Sequence, residues 1–343
     1  MSLSDSQNIL VIHIAGLGLT TLSLPALHSL RTQFPQSRLT VVTSAVAADL
    51  LKLSGYVDEI LEVGRFKGSE FLSPRVIYRS AKTWNEMRHN TYDLLIELSD
   101  NTESRIIAES VNAHRRLRGG TKGMELLLRR IMGNLSRRPS PLIHFAHEYL
   151  KRIEPLGVRP VDSEPKLQTD PAVNEQFEKL LRKFGWEFGE IMIGIHPGAG
   201  SPRQLWPLER FASVASRMIN NFGARVLIFA GPSERGIAGK LAALLPAKRT
   251  IEFQSPKLSE FASAAARLSV LVANHSGPAH VAAAVGTPVV VVTTSTNPSP
   301  QDLLGSHHEY LRGSHISLIS EDAVYEAACR MLKRSRAEYL RGR

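Results

Sequence analysis

The sequence predicts an α/β protein built from two doubly wound, Rossmann-like domains. Short runs rich in Val, Ile and Leu alternate with stretches of helical periodicity through both halves of the 343 residues, which is typical of parallel sheets covered on both faces by helices. With 43% hydrophobic residues, each half can bury a core. Ligands of such sheets bind beyond the carboxyl ends of the strands, so we expect two domains that face a central cleft.

Four strands are predicted in each half, separated by helices such as the one at residues 208–222. In the first half the strands are residues 8–16, 38–44, 58–64 and 92–99. In the second half they are residues 191–199, 224–232, 269–277 and 288–295. The predicted domains are residues 1–160 and 173–320, with a proline-rich linker at 161–172 and a C-terminal helix at 321–343.

Charge and cysteine content narrow the classes of partner. The chain has 42 Lys and Arg against 32 Asp and Glu, a formal net charge of +10, which favours anionic ligands or an anionic membrane face. Nucleic acid is not expected, because only 6% of residues are aromatic and no nucleic-acid-binding motif is present. The single cysteine, Cys329, and the lack of a signal peptide or a bilayer-spanning apolar run predict a cytoplasmic protein.

The positive charge is concentrated in two stretches, residues 115–138 and 330–343. Each is either a solvated helix face or a contact with an anionic surface. Residues 123–132 are apolar with basic flanks, a pattern typical of a segment that rests on a membrane. A peripheral location at the cytoplasmic face of the inner membrane is therefore one expectation.

The first predicted strand leads into a loop that contains Gly16, Gly18, Leu19 and Thr20. Thr21 replaces the third glycine of a dinucleotide-binding G-x-G-x-x-G motif, and the next strand ends without an acidic residue for a ribose, so NAD is disfavoured. What remains is a tight strand-to-helix turn with backbone N–H groups at the cleft, on the acceptor side of the site, or glycines needed only for the turn.

Three glycine-rich loops follow strands in the second half. The first enters a helix near Pro207, the second carries Glu234 where it can accept hydrogen bonds from sugar hydroxyls, and the third precedes a helix opened by Pro278. Three such loops at strand ends indicate a bound phosphorylated ligand. The residues expected to contact it are His196, Gly198, Gly200, Arg203, Gln204, Gly231, Glu234, His275, Ser276, Gly277, Pro278 and His280.

In combination, these segments resemble glycosyltransferase family 9, the heptosyltransferases. The resemblance is carried by HPGAGSPRQLWPLERF at 196–211, GPSE at 231–234, NHSGPAHVAAAVGTPVV at 274–290 and NILVIHIAGLGLTTLSLPAL at 8–27. It implies a GT-B fold with the acceptor in the N-terminal domain, the nucleotide sugar in the C-terminal domain, and a last helix that packs back on the N-terminal domain. It also implies inverting, metal-independent transfer of heptose from an ADP-sugar to a glycan or glycolipid acceptor such as lipopolysaccharide core.

Residue by residue, the resemblance implies that Ser276, Gly277, Pro278 and His280 surround the donor diphosphate and that Glu234 lies near the nucleotide ribose. Three positions depart from the family pattern. Leu19 stands where the family has the aspartate thought to be the general base, Gln204 replaces a lysine, and His275 replaces an aspartate. Arg203, beside Gln204, either restores a positive charge for the leaving diphosphate or is a solvated loop residue.

A substitute base is sought among residues at predicted strand ends, because Leu19 cannot accept a proton. The candidates are His13, Asp100 and His275, although a lone histidine is more often a buried structural residue, and His275 has a second possible role as a diphosphate contact. No metal or other cofactor is expected, since no DxD pair or His/carboxylate cluster stands beside the donor motifs. Three hypotheses result: an active glycosyltransferase with a relocated base or a changed acceptor, a non-catalytic homologue that binds a nucleotide, sugar or partner protein, and an unrelated α/β enzyme such as a dehydrogenase or sugar-phosphate epimerase.

Overall fold

A computed structural model divides the chain into two compact units, Met1–Pro165 and Lys166–Arg343, and the division falls inside the predicted linker. Each unit is a parallel sheet with helices. The structure describes residues 6–64, 83–118, 143–187, 189–231, 234–254 and 256–341. The basic, apolar segment at 123–132 lies outside the described residues.

The N-terminal unit is built on a five-stranded sheet whose order is β3-β2-β1-β4-β5, with every pair parallel. The strands are β1 (Asn8–Ile12), β2 (Arg38–Ser44), β3 (Glu59–Val63), β4 (Thr91–Glu97) and β5 (Asn112–Leu117). The helices are α1 (Leu17–Gln33), α2 (Ala45–Ser54), α3 (Thr102–Ser110) and α4 (Phe145–Ile153). The central strands are apolar and buried because helices cover both faces of the sheet.

The C-terminal unit is built on a six-stranded parallel sheet of order β11-β10-β9-β6-β7-β8. The strands are β6 (Met192–His196), β7 (Arg225–Ala230), β8 (Thr250–Gln254), β9 (Val270–Asn274), β10 (Val289–Thr293) and β11 (His308–Arg312). The helices are α5 (Pro171–Lys183), α6 (Leu208–Phe222), α7 (Arg235–Ala242), α8 (Leu258–Ala265), α9 (Gly277–Ala284) and α10 (Glu321–Arg341). Trp206 and Phe211, in edge-to-face contact at 4.8 Å, are among its largest buried side chains.

All eight predicted strands are present, but β5, β8 and β11 were not predicted. Each of the three is an edge strand, hydrogen-bonded on one side only. Their residues are mostly exposed or half-buried, and their sequences, NAHRRL, TIEFQ and HEYLR, carry charges in place of a continuous apolar run. Edge strands need no such run because one side stays in solvent.

The described side chains of α10 contribute to the core of the C-terminal unit, with five of them buried there: Val324, Ala327, Ala328, Met331 and Leu332. Cys329 is a free thiol that packs against the same core, as a small apolar residue. The expectation that the last helix packs back on the N-terminal domain stays a prediction.

Candidate functional site

Each sheet has one topological switch point, and the predicted site residues gather at these two places. The switch lies between β1 and β4 in the N-terminal unit and between β6 and β9 in the C-terminal unit. Connections that leave a switch point run to opposite faces of the sheet and open a crevice at the carboxyl ends of the strands. The carboxyl ends of these four strands, the loops after them and the helices they enter hold every predicted site residue except Gly231 and Glu234, which follow β7.

In the C-terminal crevice, Glu234 is held by residues from neighbouring loops. Its Oε2 accepts a hydrogen bond from the Gly231 N–H at 2.8 Å and lies 3.3 Å from Nε2 of His196. Nδ1 of the same imidazole lies 3.3 Å from the hydroxyl oxygen of Ser276. Gly198 leaves room for this carboxylate, since a Cβ at that position would overlap it. The structure thus joins the three glycine-rich loops into one cluster, which we call the Glu234 cluster.

The Glu234 cluster favours an ionised carboxylate. The hydrogen bond with His196 is the largest cause that lowers the pKa of Glu234, and the Gly231 N–H adds to it, while partial burial opposes them. An ionised carboxylate accepts hydrogen bonds and donates none. Glu234 is therefore suited to bind a pair of sugar hydroxyls, as the sequence predicts.

Asn274, the last residue of β9, ties two of these loops together. Its Oδ1 accepts a hydrogen bond from the backbone N–H of Trp206 at 3.2 Å, and its Nδ2 donates to the carbonyl of Pro197 at 2.7 Å. The side chain is fully buried. Because both partners are backbone groups that would otherwise be unpaired inside the domain, Asn274 fixes the path of the loop between β6 and α6.

The loop after β9 ends at the N-terminus of α9. Ser276 is the N-cap residue and Pro278 lies in the first turn of the helix. The Ser276 hydroxyl lies beside His196 and makes no side-chain cap hydrogen bond. The first N–H groups of α9 thus keep the capacity to bind an anion. His280, in the same turn, is buried, with its ring 5.6 Å from that of His275.

Two of the residues that depart from the family pattern, His275 and Gln204, lie in this part of the C-terminal unit, and Arg203 is next to Gln204. His275 places Nε2 3.3 Å from the carbonyl oxygen of Gln301, and burial lowers its pKa, so its ring is neutral at pH 7. Arg203 is exposed and Gln204 half-buried on a short 3₁₀ turn, Pro202–Gln204. The cationic group of this loop is therefore the arginine.

A cavity of about 400 Å³ opens at the N-terminal switch point. Its walls come from the loops after β1 and β4 and from α1, α3 and α4. Of the residues predicted on this side, Leu19 and Asp100 line the cavity. Six other polar residues of the lining were not predicted from the sequence: Ser99, Asn101, Glu103, Glu148, Tyr149 and Arg152.

Arg152 organises one wall of this cavity. Its Nη2 lies 2.8 Å from Oδ2 of Asp100 and 3.0 Å from Oε1 of Glu148, and its Nη1 donates to the carbonyl of Leu98 at 2.7 Å. The Arg152 side chain is only 11% exposed. A largely buried guanidinium that holds two carboxylates and a backbone carbonyl is a fixed structural unit, because it ties these three groups of the wall together.

His13 is a structural residue and not a catalytic base, contrary to one of the sequence predictions. Its side chain is 0% exposed and does not line the cavity. Its ring packs edge-to-face on Tyr149 at 5.1 Å. Burial is the main cause that lowers the pKa of His13, from 6.5 to about 4. The neutral ring completes the core beneath the cavity.

Replacing His13 with leucine should remove a pH dependence of stability. Because the unfolded chain binds a proton near pH 6.5 and the folded chain only near 4, the wild-type free energy of unfolding should fall by about 3 kcal/mol as the pH drops through this window. In His13→Leu, this fall in the free energy of unfolding should be absent. Urea unfolding at several pH values measures the difference, and parallel curves for the two proteins would contradict it.

The glycines of the first loop play a smaller part than the sequence suggests. The connection between β1 and α1 is short, as predicted, but Gly16 has φ of −81° and Gly18 already lies in the first turn of α1. Neither adopts the left-handed backbone conformation that requires glycine. The hydroxyl of Thr20 is buried and donates to the carbonyl of Gly16 at 3.1 Å, so it faces the helix rather than the cavity.

The described residues contain neither a cluster of metal ligands nor a helix that could span a membrane. Among residues 6–341 outside the gaps given above, no group of three or more His, Cys, Asp or Glu side chains is arranged to hold a metal ion. Within the same residues, no helix combines the length and apolar character needed to cross a bilayer.

Comparisons with known proteins agree on one family. The sequence model of the protein family described as glycosyltransferase family 9 (heptosyltransferase) matches residues 80–320 of this chain. A curated relative, lipooligosaccharide heptosyltransferase 2 of Haemophilus influenzae, is 27% identical over 303 residues, which cover 85% of this chain and 84% of that protein. Lipopolysaccharide heptosyltransferase 2 of Salmonella typhimurium is 24% identical over 302 residues, with 85% and 84% covered.

Solved structures show the same fold. The glycosyltransferase family 9 structure from Veillonella parvula aligns with a TM-score of 0.79 at 24% identity, covering 97% of this chain and 99% of that one. The structure titled E. coli ADP-heptose LPS heptosyltransferase II aligns with a TM-score of 0.72 at 20% identity, covering 96% and 100%. The predicted fold class, α/β with two Rossmann-like domains of the GT-B type, is confirmed.

Proposed function

The chain belongs to glycosyltransferase family 9, and we propose that it transfers a heptose-like sugar from ADP-heptose to a lipopolysaccharide core or a related glycan acceptor. The observation that carries the proposal is the Glu234 cluster at the C-terminal switch point. There, an ionised carboxylate and the N-terminus of α9 lie on adjoining loops, joined through His196 and Ser276. A ribose diphosphate offers these two groups a pair of hydroxyls and an anion.

In the proposed complex, Glu234 accepts hydrogen bonds from the ribose hydroxyls, and backbone N–H groups in the first turn of α9, such as that of Gly277, bind the diphosphate. The exposed guanidinium of Arg203 supplies positive charge to the leaving group. Neutral His275 adds no negative charge beside the phosphates. Because the helix end and a cation can stabilise the departing diphosphate, the transfer needs no metal ion.

The acceptor is proposed to bind in the N-terminal cavity, where Asp100, Glu103 and Glu148 offer carboxylates and Phe145 and Tyr149 offer aromatic rings. Carboxylates accept hydrogen bonds from sugar hydroxyls. One acceptor hydroxyl attacks the anomeric carbon from the side opposite the diphosphate, so the product has inverted configuration. The net charge of +10 supports binding at the anionic cytoplasmic face of the inner membrane, where a glycolipid acceptor would reside.

One observation favours a second function. Leu19 lines the acceptor cavity at the position where the family resemblance implies the general base. A homologue that binds a nucleotide, a sugar or a partner protein without catalysis would tolerate this leucine. Donor turnover separates the two functions.

The test is the release of ADP from ADP-heptose, with and without a purified lipopolysaccharide core oligosaccharide, in the presence of EDTA. UDP- and GDP-sugars serve as matched donors. We expect ADP release that rises with the acceptor and is unaffected by EDTA, and NMR should show the inverted anomer in the product. Binding of ADP-heptose without turnover would support the non-catalytic function, and neither binding nor turnover would contradict both.

A further inference from the structure

We infer that Glu103 is the general base of the transfer, an inference that rests on the proposed function. The acceptor hydroxyl must lose a proton as it attacks, and Leu19 cannot take it. Three carboxylates line the same cavity as Leu19: those of Asp100, Glu103 and Glu148. The general base must be one of these carboxylates that is free to accept a proton.

Asp100 and Glu148 are both engaged by Arg152. Each gives an oxygen to the same Nη2, at 2.8 Å and 3.0 Å. Protonating either one would weaken a charge-assisted hydrogen bond to a guanidinium that is only 11% exposed. These two carboxylates are therefore positioned to hold Arg152 and the cavity wall.

Glu103 is the carboxylate without such a commitment. It lies half-buried in the first turn of α3. Within the described part of the chain, it forms no hydrogen bond or ion pair. Glu103 therefore presents a carboxyl group with no partner among the described residues to the cavity.

The position of Glu103 is fixed by contacts between the two loops of the switch point. Asn101, the N-cap residue of α3, donates from Nδ2 to the carbonyl of Ile14 at 2.8 Å, and the hydroxyl of Ser99 accepts from the Ile14 N–H at 3.1 Å. Oδ1 of Asn101 also accepts from the Ser104 N–H at 2.8 Å. The start of α3 is thus tied to the loop that leads into α1 and Leu19, which places the carboxylate on a different wall of the cavity from position 19.

The reaction then balances in one step. A carboxylate oxygen of Glu103 takes the proton of the acceptor hydroxyl while the oxygen of that hydroxyl forms a bond to the anomeric carbon of the donor. The bond from that carbon to the diphosphate oxygen breaks, and its electron pair leaves with ADP. Glu103 ends the step as a neutral carboxyl group and returns the proton to solvent.

The test compares Glu103→Gln with Glu109→Gln, a control on the same helix whose side chain is exposed and outside the cavity. The assay measures ADP release from ADP-heptose, with water and with the core oligosaccharide as acceptors. Glu103→Gln should lower kcat by about 10²- to 10⁴-fold while leaving the Kd of ADP unchanged. The acidic limb of the kcat/KM profile should disappear with it. Glu109→Gln should stay within about threefold of wild type.

A rescue variant separates a base from a structural role. Leu19→Asp, added to Glu103→Gln, puts a carboxylate at another position in the lining of the same cavity and should restore at least part of the lost kcat. If the wild-type enzyme releases ADP from ADP-heptose and Glu103→Gln does so with the same kcat, the inference is wrong. If wild type turns over no donor at all, the proposed function fails first, and the inference with it.

Discussion

Replacing Gly198 with alanine should weaken ADP binding by about 10- to 150-fold, the loss expected when a hydrogen bond to a charged group worth about 1.5–3 kcal/mol is removed. A Cβ at Gly198 would overlap the carboxyl group of Glu234. That group is the end of a flexible side chain, so it should swing away from His196 and Gly231 while the fold stays intact. Calorimetric titration with ADP measures the loss, and thermal unfolding should change little.

Gly200→Ala is the matched control in the same loop, because a Cβ there would meet no atom within 4 Å. Its Kd for ADP should remain within about threefold of wild type. A double variant adds a second check: Gly198→Ala should cause little further loss in a Glu234→Ala background, since both changes remove the same carboxylate. Equal Kd values for Gly198→Ala and Gly200→Ala would show that Glu234 does not contact the nucleotide.

Asn274→Ala should lower the free energy of unfolding of the C-terminal domain by about 2–6 kcal/mol, because it leaves two buried backbone groups unpaired at about 1–3 kcal/mol each. These are the Trp206 N–H and the Pro197 carbonyl. Urea unfolding followed by tryptophan fluorescence reports this transition. Asn274→Asp should also destabilise, since its second oxygen cannot donate to Pro197.

The control for this prediction is Asn220→Ala, an exposed position near the end of α6. Surface changes of this kind alter stability by about 0.5 kcal/mol or less. If Asn274→Ala and Asn220→Ala shift the unfolding midpoint equally, the side chain of Asn274 does not hold the loops together.

How well the fold could be predicted depended on how completely each strand is buried. Central strands such as β1 and β10 each have four consecutive buried apolar residues and were identified from the sequence. The edge strand β5 was not identified, because most of its NAHRRL residues are not buried and carry no apolar pattern. For α10, an apolar face was evident, but the sequence alone does not say which core it joins; the structure shows the C-terminal one.

The two halves of the site were predictable to different degrees. In the C-terminal unit, the loops after β6, β7 and β9 are adjacent because parallel strands bring their carboxyl ends to one edge. In the N-terminal unit, Arg152 reaches Asp100 from 52 residues away through the packing of α4, which no local pattern specifies. The spacing of Glu148 and Arg152, one helical turn apart, was the one local signal. His13 is the opposite case, because a local pattern does indicate its place: a histidine that directly follows an apolar strand is expected in the core.

The central claim, a site for ADP-sugars at the C-terminal switch point, is tested most directly by calorimetric titration of the wild-type protein with ADP, UDP and GDP. We expect ADP to bind at least about tenfold more tightly than either of the others, a difference of about 1.4 kcal/mol, and ADP-heptose to compete with it. Equal affinity for all three nucleotides, or no binding of any, would contradict the account.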